Sequence, residues 1–371
     1  MIKVGITGQS GFMGSHLYNY LSLKDEIELI MFKKIFFKDA SLLQEFVKQC
    51  DVIVHIAAMN RHDDPQVIYN TNINLVKKLT IACDREGVAP KIVFSSSIQE
   101  DRDNLYGKSK KDSKIFLEQW AKKHNTSITT LIIPNVFGPF GKPYYNSVVS
   151  TFCYQVVHNE IPKIVIDGQL SLIYINELSE IFYKDIIKTE KQVISYRVKH
   201  TSSKKVTEIL ALINAFKSDY FDNGVVPDLR DPFEINLFNT FRSFIPTDYF
   251  PKKYTRHTDE RGSFVEIIRA KTSGQSSYST TKPGITRGNH YHTRKVERFA
   301  VISGKALIQL RKINSDEVIN YYLDGSEPAY VDMPIWFTHN IKNIGDSELI
   351  TLFWINEPYD ESDPDTYFKK V

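Results

Sequence analysis

The chain has 371 residues, 42% of them apolar, 25% charged and 12% aromatic, which is enough for two globular domains and too little polar bias for disorder. Lys plus Arg (47) nearly cancels Asp plus Glu (44), and the formal charge of +3 has no basic tract behind it, so no nucleic acid or membrane partner is expected and small ligands are favoured. Cys50, Cys83 and Cys153 make no CxxC pair and no window nears the roughly 18 apolar residues of a membrane span, so disulfides, thiolate zinc and membrane insertion are not expected and a cytoplasmic location fits.

The run Ile2–Ile6 is short and β-branched, and it meets a cluster of glycines and then Leu17, Tyr20 and Leu21 at helical spacing. That order reads as strand, tight turn, helix. Further apolar runs at Ile27–Phe32, Val52–Ile56, Lys91–Ser95 and Ile128–Ile133 alternate with helical periodicity such as Leu42–Val47 and Asn74–Cys83. Alternating strands and helices predict an α/β unit with a parallel sheet. After about Phe250 the pattern becomes brief alternating segments, Ser263–Ile268, Phe299–Ile302, Ala306–Leu310 and Leu349–Trp354, broken by Gly, Asn, Asp and Pro, and this part reads as all-β. The Pro-containing stretch Asp231–Pro251 is the expected seam, giving domains 1–245 and 246–371. No internal repeat is present.

Thr7-Gly8-Gln9-Ser10-Gly11-Phe12-Met13-Gly14 places glycines three apart directly after the first strand. A side chain at those positions would keep the backbone from a pyrophosphate, and the following helix offers it unpaired N–H groups. Gly8, Gly11, Phe12, Met13 and Gly14 are therefore candidate cofactor residues of a Rossmann-type doubly wound sheet. NAD enzymes usually end the second strand with a carboxylate for the ribose 2′-hydroxyl. Here Lys33 and Lys34 stand after Ile30-Met31-Phe32, which favours the 2′-phosphate of NADP(H) over NAD, the alternative being a solvated basic loop.

Tyr106-Gly107-Lys108-Ser109-Lys110 precedes a helical stretch containing Ile115, Phe116, Leu117 and Trp120. A spacing of four puts Tyr106 and Lys110 on one helical face, where an ammonium can lower the phenol's pKa and bind the nicotinamide ribose. The phenol can then exchange a proton with a carbonyl as hydride moves. Ser95-Ser96-Ser97 at the end of the preceding strand supplies a hydroxyl to hold the substrate oxygen.

With these motifs the sequence resembles the extended short-chain dehydrogenase/reductase family, in its nucleotide-sugar branch. The matching elements are TGQSGFMG, His55-Ile56-Ala57-Ala58, VFSSS at 93–97, YGKSK, Pro134-Asn135-Val136-Phe137-Gly138-Pro139, Ile166-Asp167-Gly168-Gln169 and Ile173-Tyr174-Ile175-Asn176-Glu177-Leu178. The resemblance implies Tyr106 as proton donor, Lys110 as its electrostatic partner, Ser97 (or Ser96) as the polarising hydroxyl, Ala57 and Ala58 beside the cofactor, and Asn135 beside the substrate. Two departures stand out. Ser97 and Tyr106 are only nine apart, where the family has a much longer loop, and Leu170, Ser171 and Leu172 stand where it often places an arginine. Arg61, just after the alanine pair, is a possible phosphate contact but reads first as an exposed loop arginine.

In the second part, His290, His292, Glu297 and His339 lie among Gly284, Gly304, Pro334 and Asn343. Alternation along a strand points His290 and His292 the same way, and Glu297 and His339 can converge on them in a small barrel. Three imidazoles and a carboxylate suit Zn(II), Fe(II) or Mn(II), with zinc favoured. The spacing resembles the cupin family, with Trp336 where a glycine is common. Asp259-Glu260-Arg261-Gly262-Ser263-Phe264-Val265-Glu266 and Arg287-Gly288-Asn289-His290 also resemble the deoxysugar 3,5-epimerase branch of cupins, in which that histidine is the base and no metal is needed. The two resemblances compete for His290, because a metal-bound imidazole has no free lone pair. With the metal in place, Lys295 or a tyrosine such as Tyr359 is left to move the proton.

The whole arrangement resembles the bifunctional CapF-type enzymes of capsular polysaccharide synthesis. That resemblance implies a cupin that epimerises C3 of UDP-2-acetamido-2,6-dideoxy-4-hexulose, followed by NADPH reduction of the C4 ketone to UDP-2-acetamido-2,6-dideoxy-L-talose on the route to N-acetyl-L-fucosamine, a zinc-bearing barrel and a homodimer. The order follows from chemistry, since C3 is acidic only while C4 is a ketone. Two alternatives are a monofunctional reductase with a structural cupin and a non-catalytic NADP-sensing protein.

Overall fold

The β-branched runs of the first half become strands because both faces of the sheet they form are covered, so that whole strands are apolar. In the computed structural model, which describes residues 1–260 and 262–371, these strands are β1 (Ile2–Thr7), β2 (Ile27–Ile30), β3 (Val52–His55), β4 (Lys91–Ser97), β5 (Ile128–Ile133), β6 (Asn135–Phe137), β7 (Gln169–Tyr174), β8 (Val193–Arg197) and β9 (Ser202–Lys205). Every residue of β3 and β5 is buried. The main sheet is parallel in the order β2-β1-β3-β4-β5-β8, and β6, β7 and β9 form a small second sheet. The helices are α1 (Phe12–Leu21), α2 (Ala40–Gln49), α3 (Pro65–Glu86), α4 (Leu105–Lys123), α5 (Val148–Val157) and α6 (Ile175–Ile186). Phe46 and Val47 of α2, Leu79 and Cys83 of α3, and Leu117 and Trp120 of α4 share one core with Ile53, Phe94 and Ile128 of the sheet. Strand order reverses at β1, which opens a crevice beyond the carboxyl ends of β1 and β3.

The second half is all-β after its first helices, as its alternation predicts. Its helices are α7 (Val206–Phe216) and α8 (Pro232–Arg242). Its strands are β10 (Lys252–Lys253), β11 (Arg256–Asp259), β12 (Gly262–Val265), β13 (Gln275–Thr281), β14 (Thr286–Tyr291), β15 (Glu297–Ser303), β16 (Lys305–Lys312), β17 (Val318–Asp324), β18 (Ala329–Met333), β19 (Phe337–Asn343), β20 (Leu349–Ile355) and β21 (Tyr367–Phe368). Two five-stranded antiparallel sheets, β10-β18-β15-β20-β13 and β17-β16-β19-β14-β21, enclose a core of Phe299, Val301, Ile308, Leu310, Val331 and Ile341. Arg261, part of the epimerase-like match, lies outside the described residues.

The chain divides into two compact units, 1–151 with 165–206 and 152–164 with 207–371, which differs from the seam expected at 245/246. The reason is local. Pro232 does not interrupt a linker but starts α8 at a position whose N–H has no helical partner, with Asp231 accepting from Phe233 N and Glu234 N as the cap. The helical segment then joins the β core: the Tyr220 hydroxyl donates to Asp332 (2.6 Å), Asn239 Nδ2 to the Arg294 carbonyl (2.9 Å) and Arg242 Nη2 to the Met333 carbonyl (2.7 Å). Among the described residues no helix is long and apolar enough to cross a membrane.

Candidate functional site

Backbone geometry builds the crevice at the end of β1. Gly8 has φ +79, and a Cβ there would stand 2.9 Å from the Ala57 nitrogen. At Gly14 a Cβ would meet the Gly8 carbonyl at 2.2 Å. Both glycines are required by close approach, and the turn is closed by Gly11 N donating to the Gly8 carbonyl (2.9 Å) and Ala57 N to the Thr7 carbonyl (3.1 Å). Helix α1 starts at Phe12 with no side-chain cap and no acidic residue in its first turn, so its N–H groups face the crevice with a partial positive charge. A cradle that a single Cβ would fill, beside Ala57 and Ala58, fits a dinucleotide pyrophosphate. Gln9 Oε1 accepts from Phe32 N (3.0 Å), which ties the end of β2 to the turn and leaves Lys33 and Lys34 exposed just beyond.

Asn104 caps α4 by accepting from Gly107 N (2.7 Å), and Tyr106 and Lys110 follow one helical turn apart. The Lys110 ammonium is buried and donates to the Ser95 carbonyl (2.9 Å), and burial pushes its pKa down to about 8. Burial pushes the Tyr106 phenol up to about 12, with the Tyr145 phenol adding to the effect. The lowering of the phenol expected from Lys110 is not seen: desolvation moves the phenol the other way, and it keeps its proton at neutral pH.

The short connection between Ser97 and Tyr106 folds as a single 3-10 turn, Ile98–Asp101. It packs so closely on α4 that a Cβ at Gly107 would meet the Gln99 carbonyl at 1.9 Å. The three serines take separate roles. Ser95 donates to the His55 carbonyl (3.3 Å), Ser96 donates to Glu100 (2.5 Å), and Ser97 accepts from Gln99 N (3.2 Å) with its own proton unassigned. Glu100 is in turn paired with Lys114 (2.6 Å). Asn135 donates to the Ser171 carbonyl (3.1 Å) and is exposed. Arg61 Nη1 donates to the Tyr144 carbonyl (2.8 Å), and a cavity of ≈ 410 Å³ lies between Arg61, Tyr144, Tyr145, Ser147 and Thr151.

In the β unit, His290, His292, Glu297 and His339 bring their ligand atoms within 4.8 Å of one another. The antiparallel register pairs His290 of β14 with His339 of β19, but only after a bulge between Gly288 and His290. Asn289 (φ +62) and Gly288 (φ +92) carry the bulge, and a Cβ on Gly288 would stand 2.9 Å from the His339 carbonyl. One residue of slip would turn His290 to the other face. Trp336 occupies the position where a glycine is common and adopts φ +62 there.

His292 Nδ1 donates to the Asp365 carbonyl (2.6 Å) and His339 Nδ1 to the Phe337 carbonyl (3.2 Å). A neutral ring so held would present only a lone pair at Nε2, and although burial works to lower His292, the Glu297 carboxylate beside it raises that ring's pKa and so favours a shared proton there. Yet the Nε2 atoms of His292 and His339 lie 3.0 and 3.2 Å from Glu297 Oε2, and His339 Nε2 lies 3.2 Å from His290 Nε2. Acceptors facing acceptors require a shared proton or a cation, so this donor set fits a divalent metal. Burial lowers His290 to about 4, which keeps its ring neutral. Burial works to raise Glu297, but the His292 and His339 rings against it hold its carboxyl well below the usual range. Lys295 is buried and donates to the Pro364 carbonyl (2.8 Å), with its ammonium 5.6 Å from the centroid of the Tyr359 ring.

Three residues support the sites without having been assigned a role from the sequence, although His55 lies in the His55-Ile56-Ala57-Ala58 element. His55 is fully buried, held neutral by desolvation at about 3, and bonded to the Thr7 hydroxyl (2.7 Å). Asn72 bonds both backbone groups of Met59 and the Ser109 hydroxyl, which joins the loop after β3 to α4. Asp365 braces the loop after His292. Only tertiary contact shows what each of them holds.

Comparison with known proteins gives two matching families: the NAD dependent epimerase/dehydratase family over residues 4–191 and the polysaccharide biosynthesis C-terminal domain over residues 257–367. A Pseudomonas aeruginosa protein described as UDP-2-acetamido-2,6-beta-L-arabino-hexul-4-ose reductase is 31% identical over 368 residues, covering 99% of this chain and 98% of that one. The Bacillus subtilis spore coat polysaccharide biosynthesis protein SpsL is 27% identical over 124 residues, 31% of this chain and 82% of its own. Among solved structures, the capsular polysaccharide assembling protein CapF from Staphylococcus aureus is 34% identical with a TM-score of 0.62, and each chain is covered completely.

Proposed function

We infer the function from one premise: the chain belongs to the NAD dependent epimerase/dehydratase family, in the CapF-type form that adds a polysaccharide biosynthesis C-terminal domain. It is a nucleotide-sugar oxidoreductase of polysaccharide biosynthesis. Its substrate is UDP-2-acetamido-2,6-dideoxy-4-hexulose, inverted at C3 by the β unit, which acts as a cupin-type epimerase, and reduced at C4 by the first unit with NADPH to UDP-2-acetamido-2,6-dideoxy-L-talose. The observation that carries this reading is the Tyr106 phenol, kept protonated by burial and set one helical turn from the buried Lys110 ammonium.

In the first unit the cradle at Gly8, Gly11 and Gly14 holds the pyrophosphate with Phe12 and Met13 at the helix start, and Lys33 and Lys34 meet the 2′-phosphate. The nicotinamide, when bound, supplies hydride to C4. Ser97 donates a hydrogen bond to the C4 oxygen and orients it while keeping its own proton, whereas the Ser96 hydroxyl is already engaged by Glu100. Tyr106 gives its proton to the same oxygen, which converts ketone to alcohol with the proton count balanced. Lys110, fixed by the Ser95 carbonyl, places positive charge beside the phenolate that remains. Asn135 lies on the substrate side.

In the β unit His290, His292, Glu297 and His339 hold a divalent ion, zinc by the nitrogen-rich donor set. Such an ion supplies positive charge that favours loss of a proton α to a ketone. His292 cannot serve as the base, because Nδ1 is committed to the Asp365 carbonyl and Nε2 to the cluster. Lys295 and Tyr359 are the remaining candidates for moving the C3 proton. Replacement Tyr106→Phe tests the division of labour. It should lower NADPH oxidation by at least about 100-fold while deuterium exchange at C3 from solvent continues; simultaneous loss of both activities would contradict it.

A further inference from the structure

The His292 side of the cluster is built by residues some seventy positions later in the chain, and one of them does most of the work. Asp365 is 2% exposed and has φ +40, a left-handed backbone that aspartate tolerates better than most residues. This conformation turns its side chain and its carbonyl toward the same loop. Oδ1 accepts from Thr293 N (3.0 Å) and the Thr293 hydroxyl (2.7 Å), and Oδ2 accepts from Arg294 N and Lys295 N (3.0 Å each). The Asp365 carbonyl accepts the Nδ1 proton of His292 at 2.6 Å. Arg294 fastens the same tail through Glu357 and Asp363, and Lys295 through the Pro364 carbonyl.

We propose that Asp365 is a positioning residue for the histidine cluster: it fixes the tautomer and ring plane of His292 and gathers residues 293–295, so that metal retention depends on the C-terminal segment. This rests on the metal reading of the cluster. A buried carboxylate held by four donors resists displacement, and the carbonyl it anchors leaves His292 only its Nε2 lone pair to offer. The same carboxylate sets the backbone of Lys295, one of the two candidates for moving the C3 proton. One residue therefore supports both the ligand and the loop that carries the proton-transfer candidate.

The test uses the whole chain, with zinc titrated against a chromophoric chelator and the rate of zinc release followed separately. Asp365→Ala should weaken zinc binding about 10–100-fold, the range found when supporting partners of metal ligands are removed, and should speed release. Asp365→Asn keeps the left-handed backbone and one acceptor oxygen and should fall between the parent and the alanine variant. A role in folding alone would lower the melting temperature of the zinc-free protein and leave zinc affinity unchanged, so unchanged affinity in Asp365→Ala overturns the proposal. If that variant does not fold, Thr293→Val removes one donor to the carboxylate; weaker zinc binding is expected there, and parental affinity would count against the proposal in the same way. Nitrogen NMR of His292 in the zinc-free protein adds a readout of the tautomer, which should shift from Nδ1–H in the parent to a mixture in Asp365→Asn. A parent chain that takes up no zinc overturns the metal reading itself, an outcome distinct from a parent that binds zinc and a variant that binds it equally well.

Discussion

Lys110 carries a positive charge in a place that opposes it. Its ammonium is buried against the Ser95 carbonyl and beside the Phe94 ring, and burial brings its pKa down to about 8. In the proposed mechanism the charged form is the useful one, since it would stabilise the phenolate left by Tyr106. The charge is present below about 8 and lost above it, so the reduction rate should hold on the acid side and fall as the pH rises through about 8. Tyr106, raised to about 12, keeps its proton across that whole window and adds no competing limb. Stability moves the opposite way. Between about 8 and the ordinary lysine value of 10.5 the unfolded chain binds more protons than the folded one, so folding becomes more favourable as the rate is lost. Lys110→Arg, whose guanidinium stays charged, should move the falling limb of the pH–rate profile upward by at least one pH unit. A limb that stays near pH 8 in that variant would assign it to another group.

At the scale of elements, the shortened connection between β4 and α4 is the chain's main departure from the dehydrogenase pattern. A 3-10 turn replaces the longer loop, and its contact with α4 passes through the bare backbone of Gly107. Gly107→Ala puts a methyl group 1.9 Å from a carbonyl oxygen, and either the turn or the helix start must move. The expected cost is ~1–3 kcal/mol, visible as a lower melting temperature, together with at least a tenfold drop in NADPH oxidation because Ser97 and Tyr106 separate. Wild-type rates in a folded Gly107→Ala chain would show that this spacing does not matter. The same elements show what the sequence can and cannot convey. The glycine turn, the Tyr106–Lys110 pair and His290, His292 and Glu297 can be read from local spacing, whereas His339 lies on a distant strand and is read through the cupin-like pattern. Pro232, at the start of α8, falls in the stretch that reads as a seam, because a proline looks the same in a linker and at the first position of a helix. The polar strand β13, with the sequence QSSYSTT, escaped notice because it is mostly exposed and lacks apolar alternation. The bulge that turns His290 toward His339 is a matter of register, and register appears only when both strands are in place.

At the scale of the whole molecule, the proposed function assigns two chemistries that must act in order to the two compact units of one chain. The first unit has what ketone reduction needs: a protonated phenol, a buried cation and a phosphate cradle. The second has what acidification of a C–H bond needs: a buried set of one carboxylate and three imidazoles whose lone pairs face one another. Reduction removes the ketone that makes C3 acidic, so epimerisation has to come first, and a single chain that holds both activities can process the ketosugar before releasing the alcohol. The most direct measurement is NADPH oxidation in D2O with the UDP-linked 2-acetamido-2,6-dideoxy-4-ketosugar, followed by mass spectrometry of the recovered sugar. Oxidation accompanied by one carbon-bound deuterium at C3 is the predicted result, and oxidation with no label at C3 would contradict the account by leaving a reductase whose β unit performs no chemistry.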